Sequence, residues 1–297
     1  MDAERVGDGG GTEFDRVAAA LRVRIADGTY PVNGTLPPQR ALAEEFGVSR
    51  DTVQRVIREL TSEGWIESRR GSGSRVIRSQ RIESSTPRGV HRRGAVTVGS
   101  FIEQAFDLQE VALDVYTLTA ESLGMHLQML QAEWVRVRRA ESRPSPPRVS
   151  VRLLLPSEDL ELPYPRAMNP GEAGTVRERH LGIARDAMAS LPRVLASLQA
   201  SKLVESFDLQ VRHVALPPAF KVYLFNESEA LFGPYVVDER PIVLDSGREI
   251  EALDVIGLGA TLTHHIRDGD PNSPGSTFVD SMQSWFNSVW DLLAEAA

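Results

Sequence analysis

The sequence predicts a mixed α/β protein in two parts: a small helical N-terminal domain closed by a β-hairpin, and a larger C-terminal α/β sandwich. Three observations carry this expectation. Helical apolar spacing runs to about residue 63, then gives way to two short strands around Arg70-Gly71-Ser72-Gly73. A polar stretch, 79–99, follows. From Val111 onward, apolar runs of strand length alternate with helical ones, as strand–helix–strand units require. At 297 residues the chain is long enough for two cores.

Charge is distributed unevenly. The net charge is −8, yet residues 1–94 hold 16 arginines against 13 acidic side chains, and the remainder holds 17 basic and 28 acidic ones. Such a balance excludes a protein that coats nucleic acid along its whole surface and fits one whose N-terminal part alone meets phosphate. With no cysteine, there is neither a disulfide nor a thiolate nucleophile or metal ligand. No apolar run reaches membrane-spanning length and the N-terminus lacks a signal-peptide core, so a cytoplasmic protein without membrane contact is expected.

Residues 1–12, rich in Gly and Asp, are expected to be a disordered tail. Phe14, Val17, Ala18, Leu21 and Ile25 recur at helical spacing and predict a first helix over 13–26. Pro37 and Pro38 preset the start of a second helix, whose apolar side is Leu42, Ala43 and Phe46 and whose end is Gly47. Ser49 caps a third helix with Val53, Val56, Ile57 and Leu60 on its underside. Arg50, Asp51, Thr52, Gln54 and Arg55 remain for the opposite face. Trp65–Arg69 and Ser74–Arg78 then form a hairpin whose tip, with Arg70, Gly71 and Gly73, lets charge and backbone approach a phosphate. Three helices and a two-stranded wing make a winged helix-turn-helix over residues 13–78. A short helix with an apolar underside and a polar, Arg-bearing N-terminal half suits a DNA major groove.

These residues carry a resemblance. The run LRVRIADGTYPVNGTLPPQRALAEEFGVSRDTVQRVIRELTSEGWIESRRGSGSRVI is similar to the DNA-binding domain of the GntR family of bacterial transcription regulators. The resemblance covers about a quarter of the chain. It implies DNA contacts at Arg40, Ser49, Arg50, Thr52 and Gly71; position on the recognition helix and wing adds Gln54, Arg55, Arg70 and Gly73. Many relatives carry Arg where this chain has Gln54, and Asp51 adds a negative charge to the reading face. Gln54 suits an adenine edge rather than a guanine, so the family's operator sequence does not transfer. Asp51 is expected to interact with the helix dipole.

Residues 79–99 are read as a linker containing Arg88, Arg92 and Arg93, and 100–297 as a domain for effector sensing and dimerisation. Val111–Leu118, a helix over Thr119–Arg139 and Arg148–Leu155 form a βαβ unit. After an irregular loop at Pro163–Gly174 comes a long helix, Thr175–Ser206, with a bend expected at Pro192. Strands follow at Phe207–Ala215, Phe220–Asn226, Ala230–Val237 and Pro241–Leu244, and an amphipathic helix at Thr277–Glu295. This order argues against the all-helical effector domain of many GntR relatives. The six His (91, 126, 180, 213, 264, 265) lack that domain's ligand pattern, so neither metal nor cofactor is expected.

The C-terminal domain also resembles one half of a phospholipase D-like fold. Its His-x-Lys-x-x-x-x-Asp signature falls here on Ala219, Lys221 and Asn226. Without the His nucleophile no covalent phosphoryl-enzyme forms, so no catalytic residue and no enzymatic activity are expected. Lys221, with Tyr223 and Asn226, is the candidate effector site, with an anion as candidate ligand. The reading is a DNA-binding transcription regulator, a repressor by family habit, that binds a two-half-site operator in double-stranded DNA as a homodimer and responds to a small effector. The alternatives are a DNA-targeted phosphodiesterase-like enzyme, which Ala219 opposes, and a DNA-bound scaffold without a ligand.

Overall fold

The structure is a computed structural model that describes residues 9–26, 28–62, 64–69, 73–77, 82–84, 97–138, 147–244, 246, 248–255, 257 and 260–296. In chain order, helices α1 (Gly9–Ala26), α2 (Gln39–Phe46) and α3 (Arg50–Ser62) precede strands β1 (Ile66–Arg69), β2 (Gly73–Val76) and β3 (Ile82–Ser84). Next come α4 (Val98–Ala105), β4 (Glu110–Tyr116), α5 (Glu121–Arg138), β5 (Arg148–Pro156), β6 (Arg166–Ala167), a 3-10 turn at Pro170–Glu172 and α6 (Ala173–Ala200). Strands β7 (Ser206–Val214), β8 (Phe220–Phe225), β9 (Glu229–Pro234), β10 (Val237–Val243), β11 (Glu249–Val255) and β12 (Leu262–Ile266) then lead to α7 (Pro274–Leu292) and β13 (Glu295–Ala296). The chain divides into two compact units: residues 1–80, 164–179 and 237–259 in one, and 81–163, 180–236 and 260–297 in the other.

In the first unit the three N-terminal helices pack on a common apolar centre. Val17, Ala18, Leu21 and Ile25 of α1 meet Leu42 of α2 and Val53, Val56 and Leu60 of α3, all buried. Full burial of each of the Val, Leu and Ile side chains stabilises by about 1.5–3 kcal/mol. The tight α2–α3 turn depends on Gly47, whose φ of +67° places its N–H on the carbonyls of Ala43 and Glu44. β1 and β2 pair antiparallel from Ile66↔Val76 to Arg69↔Gly73, and Thr35 adds a single antiparallel bridge to Arg75.

Two later segments belong to this unit. β10 pairs antiparallel with β11, which also pairs with β6, and Ala167, Val176, Ile242, Ile250 and Ala252 form a small core of their own. The recognition helix α3 is joined to these segments through Glu59. Its carboxylate is 0% exposed, accepts from Arg179 Nη2 at 2.8 Å and from the Val243 N–H at 3.3 Å. Arg240 and Asp254 make a second buried pair across β10 and β11 at 2.5 Å.

The second unit is an eight-stranded sheet in the order β13-β7-β5-β4-β8-β9-β12-β3. β4, β5 and β7 run parallel at its centre, as the βαβ reading requires; β8, β9 and β12 continue antiparallel, and β3 joins β12 parallel. Strand alternation sends Val111, Leu113, Val115, Val149, Val151 and Leu153 into one core with α4, α5 and α6 from residue 180 onward. Tyr116, Leu154, Val222 and Leu224 face the other way, onto Val279, Phe286, Val289 and Trp290 of α7. Helices on both faces account for apolar residues of both parities in these strands, as in Leu153, Leu154 and Leu155 of β5.

Several expectations change. Residues 9–12, read as tail, are helical, while 1–8 lie outside the described residues. Within the stretch read as linker, Ile82–Ser84 form an edge strand and Thr97 caps α4; the Arg88, Arg92 and Arg93 cluster lies outside the described residues. The irregular loop at 163–174 contains β6 and the 3-10 turn. α6 runs unbroken through Pro192. β11, β12 and α4 lie outside the expected elements: β11 (EIEALDV) carries three acidic residues in seven, at 249, 251 and 254, and α4 is short.

Removing the Glu59 carboxylate leaves the Val243 N–H and the partly buried Arg179 guanidinium without their acceptor. Glu59→Ala is expected to destabilise the protein by about 3–5 kcal/mol in denaturant unfolding, and Glu59→Gln by less, since the amide oxygen still accepts.

Candidate nucleic-acid interface

The N-terminal end of α3 is built by Ser49. Its Oγ accepts the Thr52 N–H at 3.0 Å and lies 2.9 Å from Thr52 Oγ1, capping the helix where Asp51 adds a favourable negative charge. At about 100° per residue, the side chains sort around the axis. Val53, Val56, Ile57 and Leu60 are buried underneath, while Arg50, Asp51, Gln54 and Arg58 form an exposed stripe. Arg58 has Glu249 at 3.9 Å. Arg40 is exposed on the first turn of α2.

The wing is held by its ladder and by the Ser68–Ser74 hydroxyl contact at 2.8 Å. Gly73 has φ +77°, and a Cβ there would lie 3.4 Å from Thr35 Cγ2, so a side chain would be strained at the tip. Arg75 is exposed on β2. The Arg70 and Gly71 predictions lie outside the described residues.

The family model for "Bacterial regulatory proteins, gntR family" matches residues 14–76, the span of this helical group and hairpin. Residues 14–76 are a GntR-type winged helix-turn-helix domain. Among curated proteins, the Exu regulon transcriptional regulator of Escherichia coli (strain K12) is 42% identical over 67 residues, covering 23% of this chain and 26% of that protein. A probable rhizopine catabolism regulatory protein of Rhizobium meliloti is 39% identical over 80 residues, 27% of this chain and 16% of that one. The chain thus matches about a quarter of the length of the curated relatives. An archaeal chromatin protein with "a novel mode of DNA binding" covers 96% of this chain and 94% of its own at 12% identity, but its TM-score of 0.28 is too low to bear on the fold.

Within the GntR-type domain, two predicted contacts are placed differently from expectation. Thr52 is 6% exposed, with its hydroxyl turned to Ser49. Arg55 is half-buried, with its guanidinium 4.9 Å from the centre of the Phe14 ring of α1. Both follow from helix geometry: Thr52 and Arg55 lie about 200° and 140° around α3 from Arg50, whereas Gln54 lies about 40° away. Thr52 braces the cap and Arg55 packs against α1, so neither belongs to the exposed stripe. Arg58, not singled out in the sequence, does belong to it.

The three candidate effector residues do not converge. Lys221 and Tyr223 of β8 point into the core shared with α4 and α5, and Asn226 follows in the β8–β9 turn with φ +49°. Asn226 Oδ1 accepts the Ala112 N–H at 2.6 Å, and its side chain lines the opposite face of the sheet. The sequence interval explains this: residues 221 and 223 share parity on the strand, while 226 does not. Lys221 is 1% exposed, and burial lowers its ammonium to about 7. His126 of α5, 3% exposed, is brought down to about 4 by burial and by the Lys221 charge. Burial also raises the Tyr223 hydroxyl, which lies beside Ser122. Sequence reading missed His126, because a His within an amphipathic helix carries no signal of its own.

Both bases titrate lower in the folded chain than in the unfolded one. The unfolded chain therefore binds more protons between about pH 4 and 6.5 for His126 and between about pH 7 and 10.5 for Lys221, and stability rises with pH through both windows. Lys221→Met removes the second contribution. Its gain in thermal midpoint over the unsubstituted chain is expected to be larger near pH 7 than near pH 10.5. An advantage independent of pH would contradict this account.

Proposed function

We propose that this chain is a DNA-binding transcription regulator whose GntR-type domain sets the N-terminal half of α3 into the major groove of an operator. The observation that carries the reading is the exposed stripe of Arg50, Asp51 and Gln54 at the N-terminal end of a helix whose other side is fully engaged. Arg50 reads a base edge, with guanine as its natural partner, and Gln54 an adenine. Arg40 and the Ser49 end of α3 contact phosphates and fix the register. The wing, with Gly73, Arg75 and the adjoining Arg70 and Gly71, follows the backbone at the groove edge. Thr52 and Arg55 act by holding α3 in place.

A two-half-site operator and a homodimer complete the reading, because a two-fold protein matches two-fold DNA most simply. The second unit senses a small effector and changes operator affinity, with repression as the sign. The enzymatic alternative has no nucleophile at Ala219.

Arg50→Ala is expected to lose roughly 1–3 kcal/mol of specific binding and to relax base preference at one position in a fluorescence-anisotropy titration against operator variants. Arg40→Ala is expected to weaken binding evenly across sequences and to lower the salt slope by about 1. Unchanged specific binding in Arg50→Ala would remove α3 from the groove.

A further inference from the structure

On the α7 face of the second unit's sheet lies an open cavity of about 420 Å³, lined by Asp114, Ser150, Arg152, Asn226, Glu227, Asn287 and Asp291 among others. Its size falls within the usual range of small-ligand sites, about 300–1,000 Å³, but its lining is far more polar than most. The floor is a fixed ion pair. Arg152 Nε and Nη2 donate to the two carboxylate oxygens of Asp114 at 2.7 and 2.5 Å, and Nη2 also donates to Asn287 Oδ1 at 2.8 Å. The guanidinium lies 5.1 Å from the Phe286 ring centre and 5.5 Å from that of Trp290. Its hydrogen bonds to Asp114, opposed by burial and helped by the Asp114, Asp291 and Glu227 charges, raise its pKa, so it stays a cation.

That arrangement leaves a surplus of negative charge. Among the described residues Arg152 is the one cation of the lining, and it is engaged by Asp114. Glu227 and Asp291 are exposed carboxylates within its field. Glu227 is held at φ +53°, next to Asn226, whose own side chain is tied to the β4 backbone. A second feature lies behind the floor. Gln283 is 8% exposed, and its Nε2 donates to Asp114 Oδ2 at 2.7 Å and towards Asn287 Oδ1 at 3.4 Å, while its buried Oε1 has no hydrogen-bond partner. The lining thus sets three carboxylates, Asp114, Glu227 and Asp291, against one guanidinium, which disfavours an anionic ligand. A bare metal ion is far smaller than the cavity, and no group of three His, Cys, Asp or Glu suited to a metal occurs among the described residues.

We propose that this cavity binds a small hydrophilic organic ammonium ion, its charged nitrogen seated by Glu227 and Asp291 and its polar remainder meeting Ser150, Asn226 and Asn287. The site is separate from Lys221 and Tyr223, which face the other side of the sheet, and it does not depend on the DNA-binding reading.

The test uses the full chain without DNA and three probes of similar length: putrescine, the uncharged butanediol, and the dianionic succinate. Isothermal titration is expected to give saturable binding of putrescine alone, weakening as salt is added. Glu227→Gln and Asp291→Asn are each expected to weaken it about two- to fivefold, as for exposed charge pairs. Both residues are exposed, so circular dichroism of the variants should match the parent, and operator binding without putrescine should not change. Absence of putrescine binding at millimolar concentration, equal binding of butanediol or succinate, or unaltered binding in the double variant would each overturn the proposal. Loss of operator binding in the parent chain would instead count against the regulator reading and leave this one standing.

Discussion

The buried carboxylate of Glu59 is the constraint on which the unit holding the GntR-type domain depends. A fully desolvated anion is costly unless charge and hydrogen bonds meet it. The guanidinium of Arg179 and the N–H of Val243 do so from two segments more than a hundred residues downstream. The partners fix the C-terminal half of α3, while Ser49 fixes its N-terminal end, so the exposed stripe between them is presented by a helix constrained at both ends. Positioning of this kind favours base reading, because a bidentate contact needs its side chain held to a fraction of an ångström.

Electrostatics separates the two units in kind. In the first, the acidic Glu59 and Asp254 are enclosed, each against an arginine. In the second, Lys221 and His126 are enclosed and acidic groups stand at the rim of a cavity. Burial disfavours charge in both cases, but the chain answers differently: Glu59 is given a cation, whereas His126 is held down towards its neutral form. The Asp114–Arg152 pair is a third answer, an ion pair laid flat against Phe286 and Trp290 where the sheet meets α7.

Much of this was legible in the sequence. The helix-turn-helix was readable because Gly47, Ser49 and the spacing of Val53, Val56, Ile57 and Leu60 all act locally. The central strands were readable because burial writes apolar residues at alternate positions and then in a short run, as in RVSVRLLL. The same run also held an unread signal, since Arg152 interrupts it and Asp114 interrupts the neighbouring strand at the paired position. What could not be read was non-local: that 164–179 and 237–259 belong with the DNA-binding unit, that three residues of a polar stretch add a strand at the sheet edge, and that Asn226 faces away from Lys221. Thr52 and Arg55 are a different lesson, for their helical angles were available from the outset.

The tie at Glu59 also sets an order of assembly. During synthesis the three helices and the wing emerge first, carrying every local signal they need, yet the recognition helix then holds an unanswered carboxylate. Arg179 arrives about a hundred residues later, and the Val243 N–H later still. A segment that is portable as a sequence pattern is therefore completed, at Glu59, by the chain that follows it.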